Sequence, residues 1–274
     1  MTEHAVVFAS HSLVGVLTDA AVTTGHPRPA IVFLNAGMLH RVGPNRLHVR
    51  LARTLAQHGF SSLRFDRSGV GDSPHRTDGL PLRAAALNDV RDALDFLAAE
   101  RGVSTFILVG LCSGADLAFR SALADDRILG AIMIDGLPYQ NWQSRIHFFV
   151  SRLMRRRLWL RLFARDGPLW RRLRRAPRPS RPLPALQRRD IPAKHEAEAG
   201  LRALTERGMR FLLLYTHGRD YCYPRQFRDM FPDIRAGHVD VEFFRNSDHT
   251  FTLRANQDLV VRAVEDWLTG LQRD

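Results

Sequence analysis

Two habits alternate along the chain: short unbroken apolar runs, and longer stretches in which apolar residues recur every three or four positions. A strand covered on both faces has the first habit, and an amphipathic helix has the second. "AVVFA" and "LVGVL", separated by "SHS", predict an antiparallel hairpin. "AIVFLNAG" is a buried strand entering a glycine turn, and "GPNRLHVRLARTLAQHGF" is a helix with Leu47, Leu51 and Leu55 on one face and Gly59 as its stop. "SSLRFD" is a further strand, closed by the loop "RSGVGDS". The stretch from Leu82 to Arg101 places Leu87, Val90, Leu94 and Leu97 on one helical face. It leads to the strand "TFILVGL", a turn at Cys112 and a helix from about Ala115. "ILGAIMIDG", "FLLLY" and "VEFF" are the last strands, and a final helix runs from about Ala255 to Leu271.

Apolar strands alternating with helices predict an α/β fold with a mostly parallel central sheet and helices on both faces. One segment breaks the alternation, and charge marks the same place. Residues 139–200 hold fifteen arginines and Lys194 against four acids, while the rest of the chain is balanced, so the whole net charge of +12 resides there. This reads as an inserted basic helical cap at 139–200, between core segments 1–138 and 201–274. Phe149, Leu153, Leu160 and Phe163 stand among its arginines, followed by a proline-studded stretch from Pro177 to Pro184. The 274 residues suffice for one such domain with an insertion. No apolar run approaches the ~20 residues of a membrane span. The start lacks a cationic lead, and two cysteines make no disulfide framework, so a cytoplasmic location is expected.

The chemistry centres on "ILVGLCSGAD". Gly110, Leu111, Cys112, Ser113 and Gly114 fill the pattern G-x-nucleophile-x-G with sulfur at its centre, between a strand and a helix, as a nucleophile elbow requires. The bland reading is a buried cysteine in a glycine turn. A nucleophile needs a base, and the base needs an orienting acid. His249, in "FFRNSDHTFT", follows the strand "VEFF"; Asp220 follows "FLLLY" and Gly218. Asp135, ending "AIMID", is a competing acid at the carboxyl edge of the sheet, and His217 is a weaker rival base. Asp248 beside His249 suits a turn-former, and Cys222 a packing residue.

With these motifs in place, the chain from "AIVFLNAG" to its C-terminus resembles the α/β-hydrolase superfamily, with the cap as the variable insertion. "RVGPNRLHVRLARTLAQHGFSSLRFDRSGVGDS" together with "GLCSGA" resembles more closely the bacterial hydrolases associated with exosortase and exopolysaccharide systems, which also carry Cys at the elbow. The resemblance implies Cys112 as nucleophile, Asp220 as acid and His249 as base. It also implies an oxyanion hole from the backbone amides of Ser113 and Met38. "NAG" stands where His-Gly is commoner, and "THGRD" spaces its acid one residue more tightly than usual, which leaves Asp135 open as the acid. Asp66 and Asp72 fit structural roles in their loop.

A cysteine nucleophile is activated by a paired His and a helix N-terminus. Its acyl adduct is a thioester, which retains the activation of a thioester substrate. The expected function is therefore cleavage or transfer of an acyl group through an acyl-cysteine, from a carrier-protein or coenzyme A thioester. The alternative enzyme is an ester or lactone hydrolase acting on a small or saccharide-linked acyl group. The alternative from another class is an inactive binding protein on a hydrolase fold. No metal or cofactor is called for. The basic cap fits a solvated helix pair, a docking face for an acidic acyl-carrier protein or the phosphates of coenzyme A, or a membrane-surface helix anchored by Trp159 and Trp170. No nucleic-acid reading motif accompanies it.

Overall fold

The computed structural model describes residues 1–22, 28–153, 189–218, 220–235 and 237–271. Eight strands form a single sheet: β1 (Glu3–Phe8), β2 (Leu13–Thr18), β3 (Ala30–Leu34), β4 (Ser62–Phe65), β5 (Phe106–Leu111), β6 (Ile128–Ile134), β7 (Arg210–Thr216) and β8 (Val239–Phe244). Their spatial order is β1-β2-β4-β3-β5-β6-β7-β8. β2 pairs antiparallel with both β1 and β4, and every other pairing is parallel. The helices are α1 (Leu47–Gln57), α2 (Leu82–Arg101), α3 (Ser113–Ala124), α4 (Trp142–Leu153), α5 (Lys194–Glu206), α6 (Gln226–Met230) and α7 (Arg254–Gly270).

The central strands are buried along their length because helices cover both faces. Alternate side chains go to opposite sides. Val32, Leu34, Leu108, Met133, Leu213 and Tyr215 meet α2, α3, α5 and α6, whereas Ile31, Phe33, Val109, Ile132 and Leu214 meet α1 and α7. Leu94 and Leu97 of α2 are fully buried, and each such side chain contributes about 1.5–3 kcal/mol relative to exposure. α2 ends where Gly102 adopts φ 65° and its amide bonds the Ala98 carbonyl. On the other face, His48 of α1 lies against Phe33 with ring centroids 5.3 Å apart. Both its ring nitrogens are buried without hydrogen-bond partners. Burial, assisted by the Arg64 charge, pulls its pKa down to about 4, so it is a neutral core residue.

The insertion expected at 139–200 overlaps α4 and the first half of α5. Its centre, residues 154–188, lies outside the described residues. α5 packs on α3: a Cβ at Gly200 would come within 2.7 Å of the Phe119 ring, and Ala197, Leu201 and Leu204 are buried. Among the described residues, no helix is long and apolar enough to cross a membrane.

The topology decides where a site can lie. The chain passes from β3 to β4 on one side, then returns to β5 on the other side of β3. The loops leaving the carboxyl ends of β3 and β5 therefore diverge, opening a crevice at the switch point. Cys112 follows β5, and the turn Asn35–Ala36–Gly37 follows β3.

Candidate active site

Cys112 sits at the N-cap of α3 with φ 57° and ψ −117°. A non-glycine residue is strained there by about 1–3 kcal/mol. Hydrogen bonds hold it in place: its amide donates to the Ile134 carbonyl at 2.8 Å, and its carbonyl accepts from Ala115 and Asp116 at 3.1 and 3.2 Å. The flanking glycines are needed for close approach. A Cβ at Gly110 would lie 2.3 Å from the Gly114 carbonyl group, and one at Gly114 would lie 2.8 Å from the Asn35 oxygen. The sharp turn leaves the thiol partly accessible. α3 starts at Ser113, two residues before the position expected from helix-forming composition, because the turn itself nucleates its first bonds.

His249 occupies the loop between β8 and α7, which is firmly built. The Asp248 carboxylate accepts from the Thr252 amide at 3.0 Å and from the Thr250 and Thr252 hydroxyls at 2.7 and 2.8 Å. Asn45 reaches across to the Thr250 carbonyl at 2.9 Å. Asp248 is thus the turn-former suggested by its position. Burial works to raise its pKa, and the threonine bonds outweigh that and bring it to about 2.

The His249 ring bonds a carboxylate and lies close enough to the Cys112 thiol for the sulfur to raise its pKa. The carboxylate belongs to Asp135. Nδ1 lies 2.6 Å from Asp135 Oδ2, so Nε2 is the ring nitrogen that Asp135 does not hold. The Asp135 bond, then the neighbouring Cys112 thiol, push the His249 pKa up to about 10 against the opposing effect of partial burial. Asp135 is 5 % exposed and stands just past β6 with φ 50°. Its Oδ1 accepts from the Thr216 amide at 2.7 Å, and its Oδ2 accepts from the Thr216 hydroxyl at 2.6 Å. The end of β7 therefore fixes an acid that the end of β6 supplies.

This corrects the expectation of Asp220 as the partner of His249. Asp220 is exposed; its carboxylate meets Gln140 Nε2 at 3.4 Å and its carbonyl accepts from Gln226 at 2.6 Å. The physical reason lies next to it. Tyr221 takes the buried position after β7, stacks on Tyr215 with centroids 3.6 Å apart, and donates to the Leu137 carbonyl at 2.6 Å. With Tyr221 turned inward, Asp220 turns outward. His217, the rival base, packs edge-on to Phe243 of β8. Cys222 is buried, with its thiol 3.4 Å from the Gly218 carbonyl.

Ser113 contributes at both ends. Its amide opens α3, where the leading N–H groups have no partner within the helix. Its hydroxyl accepts from the Gly37 amide at 2.7 Å, which pins the β3 loop to the elbow. Met38 follows in that loop and is 43 % exposed. Asp66 is fully buried and organises the neighbouring turn, accepting from the Arg41 amide at 2.6 Å, Arg41 Nη1 at 2.5 Å and Asn35 Nδ2 at 3.0 Å. Two groupings have metal-like spacing among the described residues: His40 with Asp66 and Asp72, and His11 with Asp89 and Asp92. In each, a guanidinium already sits on the carboxylates, Arg41 at 2.5 and 2.7 Å and Arg76 at 2.9 Å from Asp89.

The sheet order, the elbow after β5 and the histidine after β8 define one class of protein. The chain belongs to the alpha/beta hydrolase family, whose sequence model matches residues 7–263. Solved structures agree on the fold. A hydrolase from Agrobacterium vitis S4 is 19 % identical, with 97 % of this chain and 98 % of that chain covered and a TM-score of 0.59. An alpha/beta hydrolase domain-containing protein from mouse is 16 % identical over 99 % and 100 % of the two chains, with a TM-score of 0.55. A serine hydrolase without a lid from Xanthomonas campestris is 15 % identical over 97 % and 95 %, with a TM-score of 0.57. No curated protein matches the chain.

Proposed function

We propose that this hydrolase cleaves or transfers an acyl group through an acyl-cysteine on Cys112. The observation that carries the proposal is the His249 ring, hydrogen-bonded to the Asp135 carboxylate at 2.6 Å and near enough to the Cys112 thiol for the sulfur to raise its pKa. In the forward step Sγ attacks the carbonyl carbon, and His249 Nε2 holds the proton that leaves the sulfur. Asp135 fixes the tautomer by accepting from Nδ1 and balances the imidazolium charge. The tetrahedral oxyanion takes hydrogen bonds from the Ser113 amide and, from the β3 loop, the Met38 amide. The intermediate collapses as His249 protonates the leaving group, giving acyl-Cys112. Water, an alcohol or an amine then attacks the acyl carbon as His249 accepts its proton, and the thiol is restored.

A thioester is the substrate class that suits this nucleophile, because one thioester is exchanged for another with little loss of activation. Docking of an acidic carrier protein on the arginine-rich cap at 139–200, and kinship with the exosortase-associated hydrolases, belong to the same proposal and rest on the sequence. The test is a panel of acyl thioesters and matched aryl esters assayed with wild type, Cys112→Ser and Cys112→Ala. The proposal expects thioesters to turn over faster with wild type and activity to vanish in Cys112→Ala. Preferential ester turnover would overturn the substrate class. Full turnover by Cys112→Ala would overturn the nucleophile. A Cys112 that iodoacetamide alkylates no faster than free cysteine would favour a binding protein.

A further inference from the structure

Three non-glycine residues near the elbow have positive φ: Cys112 at 57°, Asp135 at 50° and Leu137 at 50°. All three backbones are tied to one buried ion pair. Arg189 makes a two-pronged bond to Asp116 of α3, Nε to Oδ2 at 2.7 Å and Nη2 to Oδ1 at 2.9 Å. The same Nη2 lies 3.0 Å from the Asp135 carbonyl and 3.5 Å from the Cys112 carbonyl. Asp116 Oδ1 also accepts from the Leu137 amide at 3.2 Å. The Asp116 side chain is 1 % exposed and that of Arg189 is 19 % exposed.

Such strain persists only where surrounding bonds over-determine it. The residues carrying the sulfur and the acid are also the strained ones, and they come from different strands. Their relative placement therefore needs a group that touches both. We propose that Arg189, braced by Asp116, is a positioning residue that clamps the backbones of Cys112 and Asp135 and so sets the line of sulfur, imidazole and carboxylate. The inference rests on the triad reading given above. The planar fork is essential to it: an ammonium could meet Asp116 but could not span both carboxylate oxygens and the two carbonyls together.

The test is Arg189→Lys in the full chain, with kcat and KM for an acyl thioester, the melting temperature, and the low-field NMR resonance of the His249 Nδ1 proton. A misplacement near 1 Å costs on the order of 100-fold, so kcat is expected to fall roughly 10- to 100-fold, with KM changed less than about threefold. The low-field resonance is expected to broaden or vanish while the fold is kept, and methylguanidinium is expected to restore part of the turnover of Arg189→Gly. If Arg189→Lys does not fold, Asp116→Asn, which keeps the shape and weakens the brace, is read in the same way. A folded variant of either kind with wild-type kcat and an unchanged resonance overturns the clamp. Wild type that turns over no acyl thioester would instead overturn the proposed reaction, and the NMR comparison alone would then decide the clamp.

Discussion

Asp135→Asn and Asp220→Asn form a matched pair, because both replace a carboxylate near β7 with a group of the same size. Asp135 accepts from the Thr216 amide at 2.7 Å, the Thr216 hydroxyl at 2.6 Å and His249 Nδ1 at 2.6 Å. An asparagine there keeps its one carbonyl oxygen on the Thr216 amide, and the threonine hydroxyl can turn to accept from the new amide nitrogen. That nitrogen then faces His249 Nδ1 and donates to it. The ring proton moves to Nε2, pointing at the sulfur, and the imidazole can no longer take the thiol proton. Loss of a hydrogen bond to a charged group removes about 1.5–3 kcal/mol. With the wrong tautomer added, acylation should slow by about 100- to 10,000-fold. Asp220 is exposed, and its carboxylate has a long 3.4 Å contact with Gln140. Its replacement should leave kcat within about threefold, as for surface changes generally. The assay is single-turnover acylation followed by rapid quench, with circular dichroism to check folding. Near-normal acylation by Asp135→Asn together with a hundredfold loss in Asp220→Asn would refute the reasoning.

Further outcomes follow from the same contacts. His249 has its pKa raised to about 10, first by Asp135 and then by Cys112. Leaving-group protonation should therefore decline as pH rises past about 10, and the limit should move down in Asp135→Asn; an unmoved limit in a pH–rate profile would contradict this. The stability linked to His249 has the sign of a raised histidine, complete below its unfolded value near 6.5 and lost as pH climbs toward 10. His48 behaves oppositely: the unfolded chain protonates it near pH 6.5 but the native core resists until about 4. Stability should fall by about 3 kcal/mol as pH drops through that window, and His48→Leu should flatten the decline in urea melts at pH 7 and 4.5; equal slopes would refute it. Gly114→Ala would place a Cβ 2.8 Å from the Asn35 carbonyl oxygen, so a loss of about 1–3 kcal/mol is expected, visible as a lowered melting temperature.

Much of this architecture was legible because burial leaves a periodic trace. The run "FILVGL" has no polar position to give a solvent face, and β5 is indeed buried throughout. Leu87, Val90, Leu94 and Leu97 pointed to α2, which spans Leu82–Arg101. The elbow was legible because its glycines answer a steric need within five residues. The acid was not. Asp135 and Asp220 both lie in loops that follow apolar strands, and the choice between them depends on which side chain a loop turns inward, here Tyr221. Three-dimensional packing decides that, and periodicity carries no trace of it. Thr216, which holds Asp135, is the last residue of β7 and carries no sequence signal of that role, and Arg189 is one of the fifteen arginines between residues 139 and 200. Each acquires its meaning only when β6, β7 and α3 meet. One signal was available: an aspartate directly after a buried parallel strand, beside the strand that carries the nucleophile, is placed by topology at the carboxyl edge.

The central claim is covalent and can be weighed. Wild-type protein incubated with an acyl thioester, quenched in acid and measured intact by mass spectrometry should gain the mass of one acyl group, mapping to the peptide that contains Cys112 and absent from Cys112→Ala. Turnover without any such adduct on Cys112, persisting in Cys112→Ala, would contradict the account.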